Sequence, residues 1–142
     1  MALNADDKAH IQAIWPSVAS HAEQYGADAL YRMFLCHPQT KTYFPNFDFS
    51  ANSAQLKNQG KKVLHALSEV VKHLDHAEAT LSHLSDLHAF TLRVDPGNFA
   101  LLSNNILVVI AMHHSDKFDS LTHQALDKFM NYVSGVLTSK YR

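Results

Sequence analysis

The sequence predicts an all-α globule, and three observations carry that expectation. Four Gly and four Pro in 142 residues leave too little turn chemistry for the many short strands of a sandwich or barrel. Apolar residues instead recur at helical spacing in successive blocks, and no segment alternates as a half-buried strand does. About seven or eight helices account for the blocks, joined too irregularly for a regular four-helix bundle.

The first block begins at Asn4, whose side chain suits an N-cap, and carries Ala9, Ile11, Ile14 and Trp15. Pro16 is expected to kink or end it. The second, roughly 20–36, places Tyr25, Ala29, Leu30, Met33 and Phe34 on one side. After Pro38 only a short helical turn is expected, and 42–50 is a loop in which Tyr43, Phe44, Phe47 and Phe49 surround Pro45. Aromatics gathered in a loop need something apolar to cover. The third block, roughly 52–73, opens on an Asn/Ser cap and carries Leu56, Val63, Ala66, Leu67 and Val70. A fourth, shorter one starts near Thr80 with Leu81, Leu84, Leu87 and His88. Asp95-Pro96 signals the next start, because Asp caps the first amides and Pro lacks the donor that a first turn leaves unpaired. That helix runs to about His113, with Ile106 to Met112 as its all-buried centre. The last opens at Asp119 and turns Leu121, Leu126, Phe129, Met130, Val133 and Leu137 inward until about Thr138.

A chain of this length forms one domain, residues 1–142, and buries about two thirds of its unfolded surface. Twelve Lys and Arg against thirteen Asp and Glu leave a net charge of −1, so no basic field is available for nucleic acid or an anionic membrane. The single Cys cannot close an internal disulfide, which points to a reducing compartment. The start carries Asp6 and Asp7 where a secretory leader would be basic, and the longest apolar run, Ile106 to Met112, falls far short of the roughly 20 residues that span a bilayer. Membrane insertion is therefore not expected. Eleven His are the unusual count, and they imply titration near neutral pH, a metal site, or both.

Catalytic motifs are missing: no phosphate-cradling Gly-rich loop, HExxH, paired Cys or Gly-x-Ser-x-Gly occurs. Cys36 reads as an inert thiol packed among apolar neighbours. Gln59 is the anomaly of the third block, because Leu56, Val63, Ala66, Leu67 and Val70 all project within roughly 80° of it. An amide in an apolar stripe needs a partner, which is either an internal hydrogen bond or a ligand. His88 poses the same question, with Leu81 and Leu84 within roughly 40°. It is either a satisfied histidine of the core or its edge, or a single axial ligand in a greasy pocket of the kind a haem requires. His65 projects to the polar side, while His73 and His76 with Asp75, and His113 and His114 with Asp116, read as solvated histidines before any surface metal site.

Five segments then carry a resemblance: Thr40-Lys41-Thr42-Tyr43-Phe44-Pro45, Gln59-Gly60-Lys61-Lys62-Val63, Leu84-Ser85-Asp86-Leu87-His88, Leu92-Arg93-Val94-Asp95-Pro96 and Leu137-Thr138-Ser139-Lys140-Tyr141-Arg142. In these motifs and over its whole length the chain resembles the globin family, specifically the alpha chains of vertebrate haemoglobin. The resemblance implies a globin fold around haem b, iron protoporphyrin IX, with O2 as ligand. His88 matches the proximal iron ligand and Phe44 the loop phenylalanine that packs on the haem. Leu30, Tyr43, Phe47, Val63, Leu84, Leu87, Leu92, Val94, Asn98, Phe99, Leu102 and Leu137 match pocket-lining positions. Gln59 stands where the family usually has its distal histidine, so its amide is expected to face the O2 ligand, and Asn46 replaces a histidine usual at the pocket mouth.

The resemblance further implies an alpha2beta2 tetramer with beta-type globin chains, in the cytoplasm of red blood cells. Arg32, Leu35, Phe118, His123 and Asp127 match the tight contact between unlike chains; Lys41, Thr42, Tyr43, Arg93, Asp95 and Asn98 match the sliding one. Tyr141 and Arg142 match the terminal pair that locks the low-affinity state, and His37, Gln39, Asn104 and Asn105 depart from the common mammalian pattern at contact positions. The expected function is reversible oxygen transport rather than catalysis. The alternatives are a haem-globin enzyme, peroxidase or nitric-oxide dioxygenase, and a cofactor-free helical interaction module.

Overall fold

The structure, a computed structural model, describes residues 3–76 and 96–138, with backbone alone at 96, 97 and 138. The described residues are helical throughout their regular structure: α1 (Ala5–Ala19), α2 (Ala22–Cys36), a 3-10 turn (Pro38–Tyr43), α3 (Ala54–Lys72), a second 3-10 turn (Leu74–His76), α4 (Pro96–His113) and α5 (Ser120–Thr138). The block expected near Thr80 lies outside them.

Local chemistry sets the helix starts. Asn4 Oδ1 accepts from the Asp7 amide at 2.8 Å while the Asp7 carboxylate accepts from the Asn4 amide at 3.1 Å, a reciprocal capping box. Lys128 of α5 reaches the same carboxylate at 3.2 Å, tying the first helix to the last. Asn4→Ala is expected to cost about 1 kcal/mol, seen as a lower urea midpoint with an unchanged slope. Ser53 caps α3 by accepting from the Leu56 amide at 3.1 Å, and Asp119 caps α5 by accepting from the Thr122 amide at 2.8 Å.

Pro16 does not end α1, which continues to Ala19 and closes with the Ser20 amide on the Pro16 carbonyl at 3.1 Å. The explanation lies in burial. Gln12 and Pro16 are exposed, so the carbonyl that loses its helical partner is on the side where water replaces it, while Trp15 and Val18 are held in the core. Trp15 also donates its indole N–H to Ser68 of α3 at 2.9 Å.

One buried cluster joins α1, α3, α4 and α5 through Ile11, Trp15, Leu64, Val70, Ile110, Leu126 and Phe129. A second, built on Leu30, Met33, Phe34 and Leu56, joins α2 to α3. Those two helices cross at Gly26 and Gly60, so closely that a Cβ on Gly26 would come within 2.6 Å of the Gly60 Cα. Tyr25, Ala29, Leu30, Met33 and Phe34 are all buried, as their spacing predicts.

Two expectations about burial are corrected. The apolar centre of α4 is not buried all round: Ile106, Leu107, Val109 and Ile110 are, but Val108 is 46% exposed and Met112 56%. A helix on the edge of a globule hides one face, whatever the other carries. Leu121 is 59% exposed rather than inward. It projects roughly 110° from the centre of the buried stripe, and Thr122 takes the inward place in that turn.

Candidate functional site

The aromatic loop does cover something apolar. Phe34 of α2 is buried under it, with Phe44, Phe47 and Phe49 at ring-centroid distances of 5.3, 6.0 and 4.7 Å in edge-on contacts. The loop turns at Asn46 (φ 59°) and Asn52 (φ 61°), left-handed positions that Asn tolerates better than bulky residues. Its end is fastened to α3: Ser53 Oγ donates to the Asp48 carbonyl at 2.7 Å, and the Asp48 amide donates to Gln55 at 2.6 Å. Hydrogen bonds from the Ser50 hydroxyl and amide hold the Asp48 carboxyl below its usual range. A loop stapled this way presents Tyr43, Phe44 and Phe47, all half-buried, as a fixed wall.

α3 supplies a second wall. Its buried face centres on Gly60, Leu64, Leu67 and Val71, roughly 90° round from Gln59. Gln59, Val63 and Ala66 therefore lie along the rim of that face, half-buried. The Gln59 side chain makes no hydrogen bond among the described residues. His65 is exposed, as its projection predicts.

α4 and α5 complete what is described. Asn98, Phe99 and Leu102 at the start of α4 and Leu137 near the end of α5 are half-buried, whereas Leu30 is fully buried. Asn98 Nδ2 donates to the Tyr43 hydroxyl at 2.9 Å, joining the start of α4 to the 3-10 turn. Leu102 packs against both buried clusters, and so does not belong to one layer alone. Half-burial of apolar side chains on three neighbouring segments, with one unpartnered amide among them, fits a flat apolar group carrying a polar centre. Leu84, Leu87, His88, Leu92 and Val94 lie outside the described residues, as do Arg93, Asp95, Tyr141 and Arg142.

Residues 27–137 match the globin family model. The chain belongs to the globin family. This globin is 82% identical to hemoglobin subunit alpha-C of Aquarana catesbeiana over 142 residues, covering the whole of both chains. It is 62% identical to hemoglobin subunit alpha of Xenopus tropicalis and 61% identical to hemoglobin subunit alpha-2 of Xenopus laevis, again over the full length of each. Haem binding comes with the family. Relatives of this kind are oxygen carriers, and the globin is not an enzyme.

Other features stand apart from this site. Cys36 is exposed at the last position of α2, not packed as expected. Among the described residues no group of three His, Cys, Asp or Glu converges to hold a metal ion, and no helix is long and apolar enough to cross a membrane. An open groove of about 830 Å³ lies on another side, bordered by His21, Glu23, Asp28, Lys57 and Met112. Its mixed charges suit no apolar cofactor. Asn46 departs from the family pattern, and its left-handed backbone gives that residue a conformational role.

Proposed function

We propose that this globin binds O2 reversibly at a haem b, with His88 as the proximal iron ligand and Gln59 on the distal side. The observation that carries the reading is the Gln59 rim of α3, an unpartnered amide set among half-buried apolar side chains. Haem supplies the iron that takes up and releases O2. Leu30, Phe44, Phe47, Val63, Phe99, Leu102 and Leu137, together with Leu84, Leu87, Leu92 and Val94, keep water from it, and Tyr43 and Asn98 close the mouth through their hydrogen bond. A neutral His88 offers one ring nitrogen, and its other N–H needs an acceptor to fix the ring.

The Gln59 amide donates a hydrogen bond to a polar ligand, but unlike imidazole it takes up no proton near neutral pH. Gln59→Leu is expected to weaken O2 binding about tenfold, the equivalent of one lost hydrogen bond, and to leave affinity for the less polar CO nearly unchanged. Flash photolysis measures both. Equal changes for the two ligands would remove the hydrogen-bonding role. The reading as a whole rests on an absorbance spectrum: purified protein should show a Soret band that shifts reversibly with O2, and a colourless protein overturns it.

Assembly follows the same reading, as an alpha2beta2 tetramer with beta-type chains in the cytoplasm of red blood cells. Leu35 is 62% exposed on α2, and Val108 and Met112 are exposed on α4, which packs against α2. Exposed apolar side chains on two packed helices favour a partner over water. Arg32, Phe118, His123 and Asp127 add the polar and aromatic contacts. Sedimentation of the chain with and without a beta-type globin tests this, and Leu35→Asp should prevent association.

A further inference from the structure

Tyr25 is the centre of a histidine cluster that the oxygen-binding reading leaves unused. It is 4% exposed on α2, and its ring meets three imidazoles. His21 stacks on it at 5.0 Å and 14°, His113 at 4.6 Å and 21°, and His114 stands edge-on at 5.6 Å and 72°. The Tyr25 hydroxyl and His114 Nε2 share a hydrogen bond of 3.0 Å. Three segments converge here. His21 Nδ1 lies 3.1 Å from the Ser17 carbonyl and 3.0 Å from Ser20 Oγ at the end of α1, and Lys117 beyond α4 donates to Ser17 Oγ at 3.4 Å.

We propose that the Tyr25 cluster is an acid-released clasp, which holds the ends of α1, α2 and α4 together at neutral pH and lets that corner open when the His114 imidazole takes up a proton. The charge balance supports it. Facing His114 are His21 from the start of α2, His113 at the end of α4, and Lys117 and Asp116 from the turn that follows. Asp116 alone favours a proton on His114, against the cations and the burial. Burial, followed by Lys117, holds the His114 imidazole below its usual range, and burial pushes the Tyr25 hydroxyl up, so the hydroxyl keeps its proton. The folded corner therefore binds fewer protons than the released one near the ordinary imidazole range, and its stability is present above that range and lost as pH falls through the lowered value.

Amide hydrogen exchange on the haem-loaded protein tests this. Between about pH 7.5 and pH 5.5, corrected for intrinsic rates, segments 14–26 and 108–118 should gain about tenfold more exchange than 124–134 of α5. His114→Gln keeps a neutral hydrogen-bonding side chain and should abolish the acid response, while Tyr25→Phe should exchange rapidly at both pH values. Nitrogen NMR of the His114 ring gives an independent reading, and its midpoint should lie below that of an exposed histidine. Uniform exchange across the three segments, a full acid response in His114→Gln, or a His114 midpoint at or above the exposed value would each overturn the clasp.

Discussion

Gly60→Ala is expected to destabilise this globin by more than about 3 kcal/mol, a large share of the roughly 5–15 kcal/mol that holds a domain of this size together. The reason is the crossing of α2 and α3. A Cβ on Gly60 would stand 2.8 Å from the Gly26 carbonyl oxygen and closer still to the Ala27 amide nitrogen. Both neighbours are backbone, and no rotamer change relieves the contact. The helices must separate instead, which loosens Leu30, Met33, Phe34 and Leu56 where they pack and tilts the Gln59 rim away from the aromatic loop. Gly135→Ala is the control, because a Cβ there meets nothing within 4 Å. That change should stabilise α5 by about 0.5–1 kcal/mol through the lost flexibility of a mid-helix glycine. Thermal melts of the two variants decide the matter, and a wild-type midpoint for Gly60→Ala would refute the close crossing.

His88→Gly is expected to abolish stable haem retention, with loss of the Soret band, while the apo fold keeps its helical circular dichroism. The substitution leaves in place Phe44, Val63, Phe99, Leu102 and Leu137, the half-buried side chains proposed to line the pocket. A porphyrin held by apolar contact alone lacks the nitrogen that fixes its iron. Added imidazole should restore the band by filling the space left, and that rescue separates ligation from a folding defect. A variant that retains its Soret band without imidazole would remove His88 from the iron.

Much of the scaffold was legible because its signals are local. The Asn4 and Ser53 caps, the Pro96 start and the Asp119 cap each depend on residues a few positions apart, and the observed helices begin where those signals stand. At Pro16, where a kink or an end is expected, the helix does not end, for a reason that is not local. Whether a helix passes through proline depends on which face the freed carbonyl occupies, and that face is defined by α3 and α5 packing on the other side. Val108, Met112 and Leu121 show the same limit: apolar residue types are visible in a sequence, but exposure depends on what lies opposite.

The candidate site divides in the same way. Gln59 announced itself by sitting in an apolar stripe, and the structure refines its place from the middle of the buried face to the rim. The roles of Gly26 and Gly60 were invisible, since each glycine read alone only weakens a helix. They are 34 positions apart, and their meaning is their contact.

By itself, then, the sequence determined the helical class, most of the helix starts and the apolar stripes, which follow from spacing and local hydrogen bonding, and its motifs carried the resemblance to globins. Tertiary structure decided which part of each stripe is covered, that α2 and α3 meet backbone to backbone, and that Tyr25, already beside His21, gathers His113 and His114 from a distant part of the chain. The physical reason is range: periodicity fixes the direction a side chain takes from its own helix, and only packing supplies what it meets there.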